Sequence, residues 1–330
     1  MKVLITNICR FLLAVVFLFS GFVKANDPEG MAIKLSDYLA AFGIEHSHWV
    51  VLTLAVVLAF VELITGIYLL FGIHRRTMSL WVLIFTSLMT LLTLYILIVN
   101  PVEDCGCFGD VIRLSHTQTF LKNILLLAAA VVLFVWSKLQ FQLLPGCLGW
   151  ILRGAAMIAV VAYSIFCIIT QPVIDFSDYH IGTDLLERVP LRVDGIQIST
   201  PRYQSQDFFI TDANDDDITE DILSAPRAYI LIIRDLATAS QSCISEINNL
   251  YDYALEHDAT FCAVTGSDPE AVKQWRDETS AHYDIQFSDS RILSSVVRSN
   301  PGLLVLENGV VHDKFAGITL GHNIRQILKN

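Results

Sequence analysis

Apolar residues gather in the first 172 positions of this chain and thin out after them. Five apolar runs stand out in that stretch: Val3–Val23, Val50–Phe71, Met78–Val99, Phe120–Trp136 and Trp150–Thr170. About 20 apolar residues make a helix long enough to cross about 30 Å of hydrocarbon, so each run predicts a membrane-spanning helix. The fourth is the shortest. It carries Lys122 and Asn123 at its start, where the lysine stem is expected to snorkel to the headgroups. The first run also has the layout of a secretory signal, with Lys2 and Arg10 as its basic region and Val23-Lys24-Ala25 as a cleavage site. The later spans keep their places under either reading.

After residue 172 the pattern changes. Residues 173–199 read as an irregular connector, and beyond them short β-branched runs alternate with amphipathic ones. Asp207–Thr211 predicts a short strand, Asp212–Asp217 an acidic turn and Ala228–Ile233 a buried strand. Gln241–His257 has helical spacing, with Ile244, Ile247, Leu250 and Leu255 on related faces. Phe261–Thr265 is a second buried strand, and Pro269–Tyr283 a helix with Asp268 as N-cap and Pro269 in its first turn. Leu303–Glu307 and Val310–Phe315 flank Asn308-Gly309, the signal of a tight hairpin turn. Gly321–Lys329 closes as a helix. The expected organisation is a four-helix membrane domain at 1–140, a fifth transmembrane helix at 141–172, the connector, and an α/β soluble domain at 200–330.

Composition agrees with that division. Hydrophobic residues make up 54% of the 330 positions, too many for a soluble protein of this length. The net charge of −11 is carried mostly by the second half, which leaves nothing basic enough to bind nucleic acid. Orientation follows from lysine and arginine in the short loops. With the N-terminus inside, the inner ends collect Lys2, Arg10, Arg75, Arg76, Lys138 and Arg153, and the outer side holds Lys24, Lys34, Arg113 and Lys122. Five spans then place the soluble domain outside, in the periplasm of a bacterial inner-membrane protein.

The candidate chemistry lies in the loop between the third and fourth spans, Asp104-Cys105-Gly106-Cys107-Phe108-Gly109-Asp110. Two thiols separated by one glycine can close a small disulfide ring, and Gly106 accepts the positive φ that a tight ring can require. A redox pair suits the outer face, where disulfides persist. A static disulfide and a metal site built from both thiols with Asp104 or Asp110 stay open as alternatives. Cys9 and Cys167 sit in apolar spans and Cys262 in mid-strand, and all three read as core thiols. Cys147 falls on the inner side, away from the pair. Glu62 is the one acid inside an expected span. It must face protein or a polar cavity, with a structural bond or proton and quinone chemistry as its two readings.

Taken together, Arg10, Ser20-Gly21-Phe22-Val23-Lys24, Glu62, Gly66 and Cys105-Gly106-Cys107-Phe108-Gly109 resemble the DoxX-like membrane proteins, within them the methylamine-utilisation MauE type. The resemblance covers the first 140 residues. It implies disulfide formation during maturation of a periplasmic client, with a quinone as electron partner. Residues 200–330 resemble a thioredoxin fold. Asn300-Pro301-Gly302 ahead of the hairpin is similar to the cis-proline strand of that fold, which makes Pro301 a candidate substrate-recognition residue. The chain departs from the pattern at Ser240-Gln241-Ser242-Cys243. Cys243 matches the second cysteine of a Cys-x-x-Cys, but Ser240 stands where the attacking thiol belongs. A serine cannot form the mixed disulfide of thiol exchange. Cys243, near a helix N-terminus, is expected to have a lowered pKa and to be open to pairing with Cys105, Cys107 or a client.

Two functions follow. One is a membrane thiol–disulfide redox protein in which Cys105 and Cys107 cycle, electrons pass to a quinone near Glu62, and the soluble domain recognises a periplasmic client or a thioredoxin-like partner. The other is a non-enzymatic scaffold whose thioredoxin-like domain docks a periplasmic partner. A transporter has little support, because Glu62 is the only charge near the middle of any span.

Overall fold

The computed structural model describes residues 1–102, 105–143, 146–186, 191–193, 196–198 and 208–329, and the side chains of 146–153 and 191–198 are not part of that description. Asp104 beside the cysteine pair, Asp207 at the expected first strand, and the side chains of Cys147 and Arg153 therefore lie outside the described residues. Two compact units make up the chain, Met1–Cys167 and Ile168–Asn330.

The first unit is helical: α1 (Lys2–Asn26), α2 (Pro28–Ala41), α3 (His48–Phe71), α4 (Arg75–Val99), α5 (His116–Val135) and α6 (Gly146–Ile169). Helices α1, α3, α4 and α5 are each long and apolar enough to cross a membrane, in line with the first four expected spans. The fifth corresponds to α6, whose described side chains run from Gly154 to Ile169. Helix α2 has no counterpart among the expected elements. It starts on its own cap: Pro28 occupies the first turn and the Asp27 carboxylate accepts the Gly30 N–H at 2.8 Å. Helix α5 opens on a capping box between Ser115 and Gln118.

Two glycines let α1 and α3 approach closely. A Cβ on Gly21 would lie 2.6 Å from the Leu63 backbone nitrogen, and one on Gly66 2.8 Å from that of Leu18. Small residues at such crossings supply the packing that lipid cannot. Leu13, Ala14, Leu69, Val82, Ala130 and Leu133 form the apolar interior. At the far end from the cysteine loop, Arg10 donates to the Phe141 carbonyl, Arg75 to that of Gln140 at 2.6 Å, and the Phe141 N–H to Asn7 at 3.2 Å. These bonds tie the segment after α5 to α1 and α4.

The second unit contains a two-stranded ribbon, β1 (Leu191–Val193) and β2 (Ile196–Ile198), then α7 (Thr219–Leu223), β3 (Arg227–Ile233), α8 (Ile244–Glu256), β4 (Thr260–Thr265), α9 (Pro269–Thr279), β5 (Ile285–Phe287), α10 (Ser290–Val296), β6 (Gly302–Glu307), β7 (Val310–Ala316) and α11 (Leu320–Ile327). The main sheet runs β5-β4-β3-β6-β7, with β4 parallel to β3 and β5, and β6 antiparallel to both its neighbours. Alternate residues of the central strands feed two cores. Ile230, Ile232, Val264, Leu304 and Leu306 pack with Leu293 and Val296 of α10. Tyr229, Leu231, Ala263, Leu303 and Val305 face Ile247 and Leu250 of α8, Trp275 of α9 and Ile324 of α11. A period of two with both faces covered is what buries strands this apolar. The strand order and its helices are those of a thioredoxin-like domain.

Several details differ from expectation. Among the described residues 208–211 no strand forms, and Thr211 makes single bridges to Asp217 and Phe287. Helix α9 ends at Thr279, where Ser280 turns left-handed, and Tyr283 folds back into the core. The unexpected β5 and α10 occupy the stretch up to Pro301. The connector is packed in its described part: Gly182 and Leu185 donate to the Val311 and Gly309 carbonyls at 2.7 and 2.9 Å, and Tyr179 and Leu185 are buried. The hairpin turn is as expected, with Asn308 and Gly309 at φ 50° and 79°.

Candidate functional site

Cys105 and Cys107 are joined as a disulfide across Gly106, their Cα atoms 5.4 Å apart. Gly106 sits at φ 63°, and a Cβ there would meet the Lys34 side chain at 2.8 Å, so both backbone and neighbour call for glycine. Side chains of the surrounding helices anchor this loop. The Cys107 carbonyl accepts from Ser20 Oγ at 2.6 Å and from Lys24 Nζ at 2.8 Å. The Cys105 carbonyl accepts from the Tyr38 hydroxyl of α2 at 3.1 Å. Lys34, also on α2, pairs with Asp110 at 3.4 Å.

Glu62 explains how Lys24 is tolerated. Its Oε2 lies 2.8 Å from Lys24 Nζ, and both side chains are almost fully enclosed, at 8% and 3% exposure. The Lys24 ammonium thus has three close acceptors: Glu62, Ser20 Oγ at 2.6 Å and the Cys107 carbonyl. A buried ion pair survives only when its remaining hydrogen-bonding capacity is used, and here that capacity is spent on the cysteine loop. The expected polar partner of Glu62 is therefore a lysine on a neighbouring span.

Beside the loop lies a small, half-open cavity of about 50 Å³. Phe17, Phe85, Met89 and Leu126 form its apolar wall, while Ser20, Glu62, Lys122, Asn123 and Cys107 supply its polar edge. Lys122 differs from expectation. Instead of reaching for headgroups, its ammonium sits 4.3 Å from the Phe108 ring centroid, a cation–π arrangement that turns the side chain toward the loop. Among the described residues no group of three or more His, Cys, Asp or Glu side chains could hold a metal ion. Among the described residues Cys9, Cys167, Cys243 and Cys262 are not in disulfides.

In the second unit, Ser240, Cys243 and Pro301 come together. The Asn300–Pro301 peptide is cis, and the Ser240 N–H donates to the Asn300 carbonyl at 3.1 Å. Asn300 Nδ2 holds the Asp235 carbonyl at 2.6 Å. Cys243 is the N-cap residue of α8, yet its side chain turns into the core at 7% exposure, close under Gly321 of α11. The lowered pKa expected of it is not found. Burial, then the nearby Glu246 carboxylate, pushes the thiol up, because desolvation disfavours the thiolate more than the helix terminus favours it. Burial likewise raises Cys262, to about 12. Ser240 stays exposed and shares a 3.0 Å hydrogen bond with Ser242.

The glycine-spaced disulfide thus lies just ahead of α5 and is tied to the Ser20–Lys24 end of α1. Residues 2–136 match the family model of methylamine utilisation protein MauE. The MauE-like region contains α1 to α5 and all the residues that anchor the Cys105–Cys107 loop. Among curated protein sequences none matches this chain. Solved structures similar to this chain include the thioredoxin domain of a thiol-disulfide oxidoreductase from Bacteroides vulgatus, 10% identical over 36% of this chain and 91% of that one, with a TM-score of 0.30. A thiol:disulfide interchange protein from a Bacteroides species is 11% identical over 37% of this chain and 86% of that one, at 0.31. Likeness at this level adds nothing to the strand order already described. The structure brings Glu62, singled out in the sequence, to the Cys105–Cys107 loop through Lys24; the sequence reading gave Tyr38 and Lys34 no place at the loop and turned Lys122 away from it. The only signal for Tyr38 and Lys34 was the Asp27-Pro28 helix start.

Proposed function

We propose that this chain is a membrane thiol–disulfide redox protein of the bacterial inner membrane, with the cysteine loop and the thioredoxin-like domain on the periplasmic side. One observation carries the reading: the Cys105–Cys107 disulfide is held by its backbone carbonyls against a cavity among apolar helices. A staple needs no such cavity, whereas a redox pair needs a place for its electron acceptor. The loop disulfide takes two electrons and two protons from a client dithiol, which leaves as a disulfide. The loop dithiol then passes both electrons and both protons to a quinone, leaving a quinol. The aromatic wall and polar edge of this cavity suit the face and carbonyls of a flat quinone ring docking at its mouth.

The soluble domain recognises the client rather than exchanging thiols with it, as Ser240 and the inward-turned Cys243 favour. That same observation supports the second reading, a scaffold in which the disulfide is structural. Complementation separates the two. A chain carrying Cys105→Ser and Cys107→Ser should fail to restore the phenotype of a deletion strain while accumulating in the membrane. Full complementation by that double variant contradicts the redox reading.

A further inference from the structure

Among the described residues the charges around Cys107 do not balance. From α1 comes Lys24, matched by Glu62 from α3 at 2.8 Å. From α2 comes Lys34, matched by Asp110 of the loop itself at 3.4 Å, with the half-exposed Arg113 also 3.8 Å from Asp110. Helix α4 presents Phe85, Thr86 and Met89 to the cavity, none of them charged. The Tyr38 hydroxyl donates to the Cys105 carbonyl. That leaves Lys122 of α5, which lines the same cavity as Cys107 and rests on the ring of the next residue, Phe108. Among the described residues Lys122 enters no ion pair.

A cation kept beside this cavity, whose one lining carboxylate, Glu62, is bound to Lys24, is costly. The cost falls when an anion appears next to it, and one group in this cavity can become an anion when the disulfide opens. Cys107 lines the cavity and Cys105 does not. We propose that Lys122 is a positioning residue that leaves the Phe108 ring to pair with the Cys107 thiolate once the disulfide is reduced, making Cys107 the sulfur that faces the electron acceptor and Cys105 the one that meets the client. Reduction by a client dithiol adds two electrons and two protons to the pair. Cys105 keeps its proton as a thiol, and Cys107 releases its own to solvent, from which the quinone takes a proton back when the disulfide re-forms.

This inference rests on the redox reading of the loop, but it is measured on chemically reduced protein and so fails or stands separately. The experiment uses the full-length chain in detergent with Cys105→Ser, so that Cys107 is the one loop thiol. The rate of alkylation at Cys107 by an uncharged reagent is followed against pH, by mass spectrometry of the loop peptide. With Lys122 present the midpoint should fall below about 7.5, in the range of thiols next to a lysine. Lys122→Met should move it up by at least about one unit, toward or beyond the ordinary value of about 8.5, and Lys122→Arg should restore it. If Lys122→Met does not accumulate, Lys122→Gln, uncharged and similar in length, is read in its place. A midpoint of 8.5 or higher with Lys122 intact overturns the proposal without any Lys122 variant. So does a midpoint that stays low when the charge is removed. A low, Lys122-dependent midpoint in a protein whose double cysteine variant complements fully would leave this pairing standing and remove the redox cycle.

Discussion

At Lys24 one ammonium serves a carboxylate, a hydroxyl and a loop carbonyl, all within 2.8 Å. The arrangement makes the pair with Glu62 both a structural joint between α1 and α3 and the anchor of Cys107. Glu62→Gln keeps the shape but leaves the lysine charge enclosed with neutral acceptors only. Breaking a buried pair from one side costs about 3–5 kcal/mol, so the variant should melt well below the parent in detergent. Removing both charges with Lys24→Met and Glu62→Leu should recover part of that loss, because no uncompensated charge remains. A Glu62→Gln chain that unfolds like the parent would show the pair to be dispensable. Cys243 teaches a different lesson at this scale. Its place at a helix start suggested a reactive thiol, but a helix terminus matters only to a side chain that stays near it. Here the side chain turns under Gly321 into the core, and burial decides.

Helix α2 is the element that brings Tyr38 and Lys34 to the cysteine loop, and it hangs on one cap. Asp27→Ala removes the carboxylate that accepts from Gly30 and should cost about 1 kcal/mol locally. The expected outcome is faster amide exchange along Pro28–Ala41 and quicker reduction of the Cys105–Cys107 bond by dithiothreitol, with the four long apolar helices undisturbed. Unchanged exchange in α2 would contradict the capping role. What could be read from sequence at this scale follows from length and turn chemistry. Runs of some 20 apolar residues announce themselves, Asp268-Pro269 marks the start of α9, and Asn308-Gly309 fixes a hairpin. Three-residue β5 and seven-residue α10 are too short for periodicity to separate from loop. Packing partners were the hidden part. Periodicity shows that a helix has faces, but not that Lys122 faces Phe108 or that Lys24 meets a glutamate 38 positions later.

On the scale of the molecule, a MauE-like helical unit holds a disulfide beside a cavity, and a thioredoxin-like unit follows it without the attacking cysteine of a dithiol enzyme. The fold class of both units was legible, the first from its apolar runs and the second from alternating strands and helices. The candidate site was legible in part: Ser240 could be read off the sequence, whereas the cavity exists only where α1, α3, α4 and α5 meet the loop. A chain so divided should do its redox chemistry in the membrane unit and its recognition in the soluble one. The most direct test is the redox state of Cys105 and Cys107 in cells, trapped by alkylating free thiols of intact membranes with and without a respiratory inhibitor. The account predicts a mixed population that shifts toward the dithiol when quinone turnover is blocked. A pair that stays fully oxidised under every condition would contradict it and make the disulfide a structural staple.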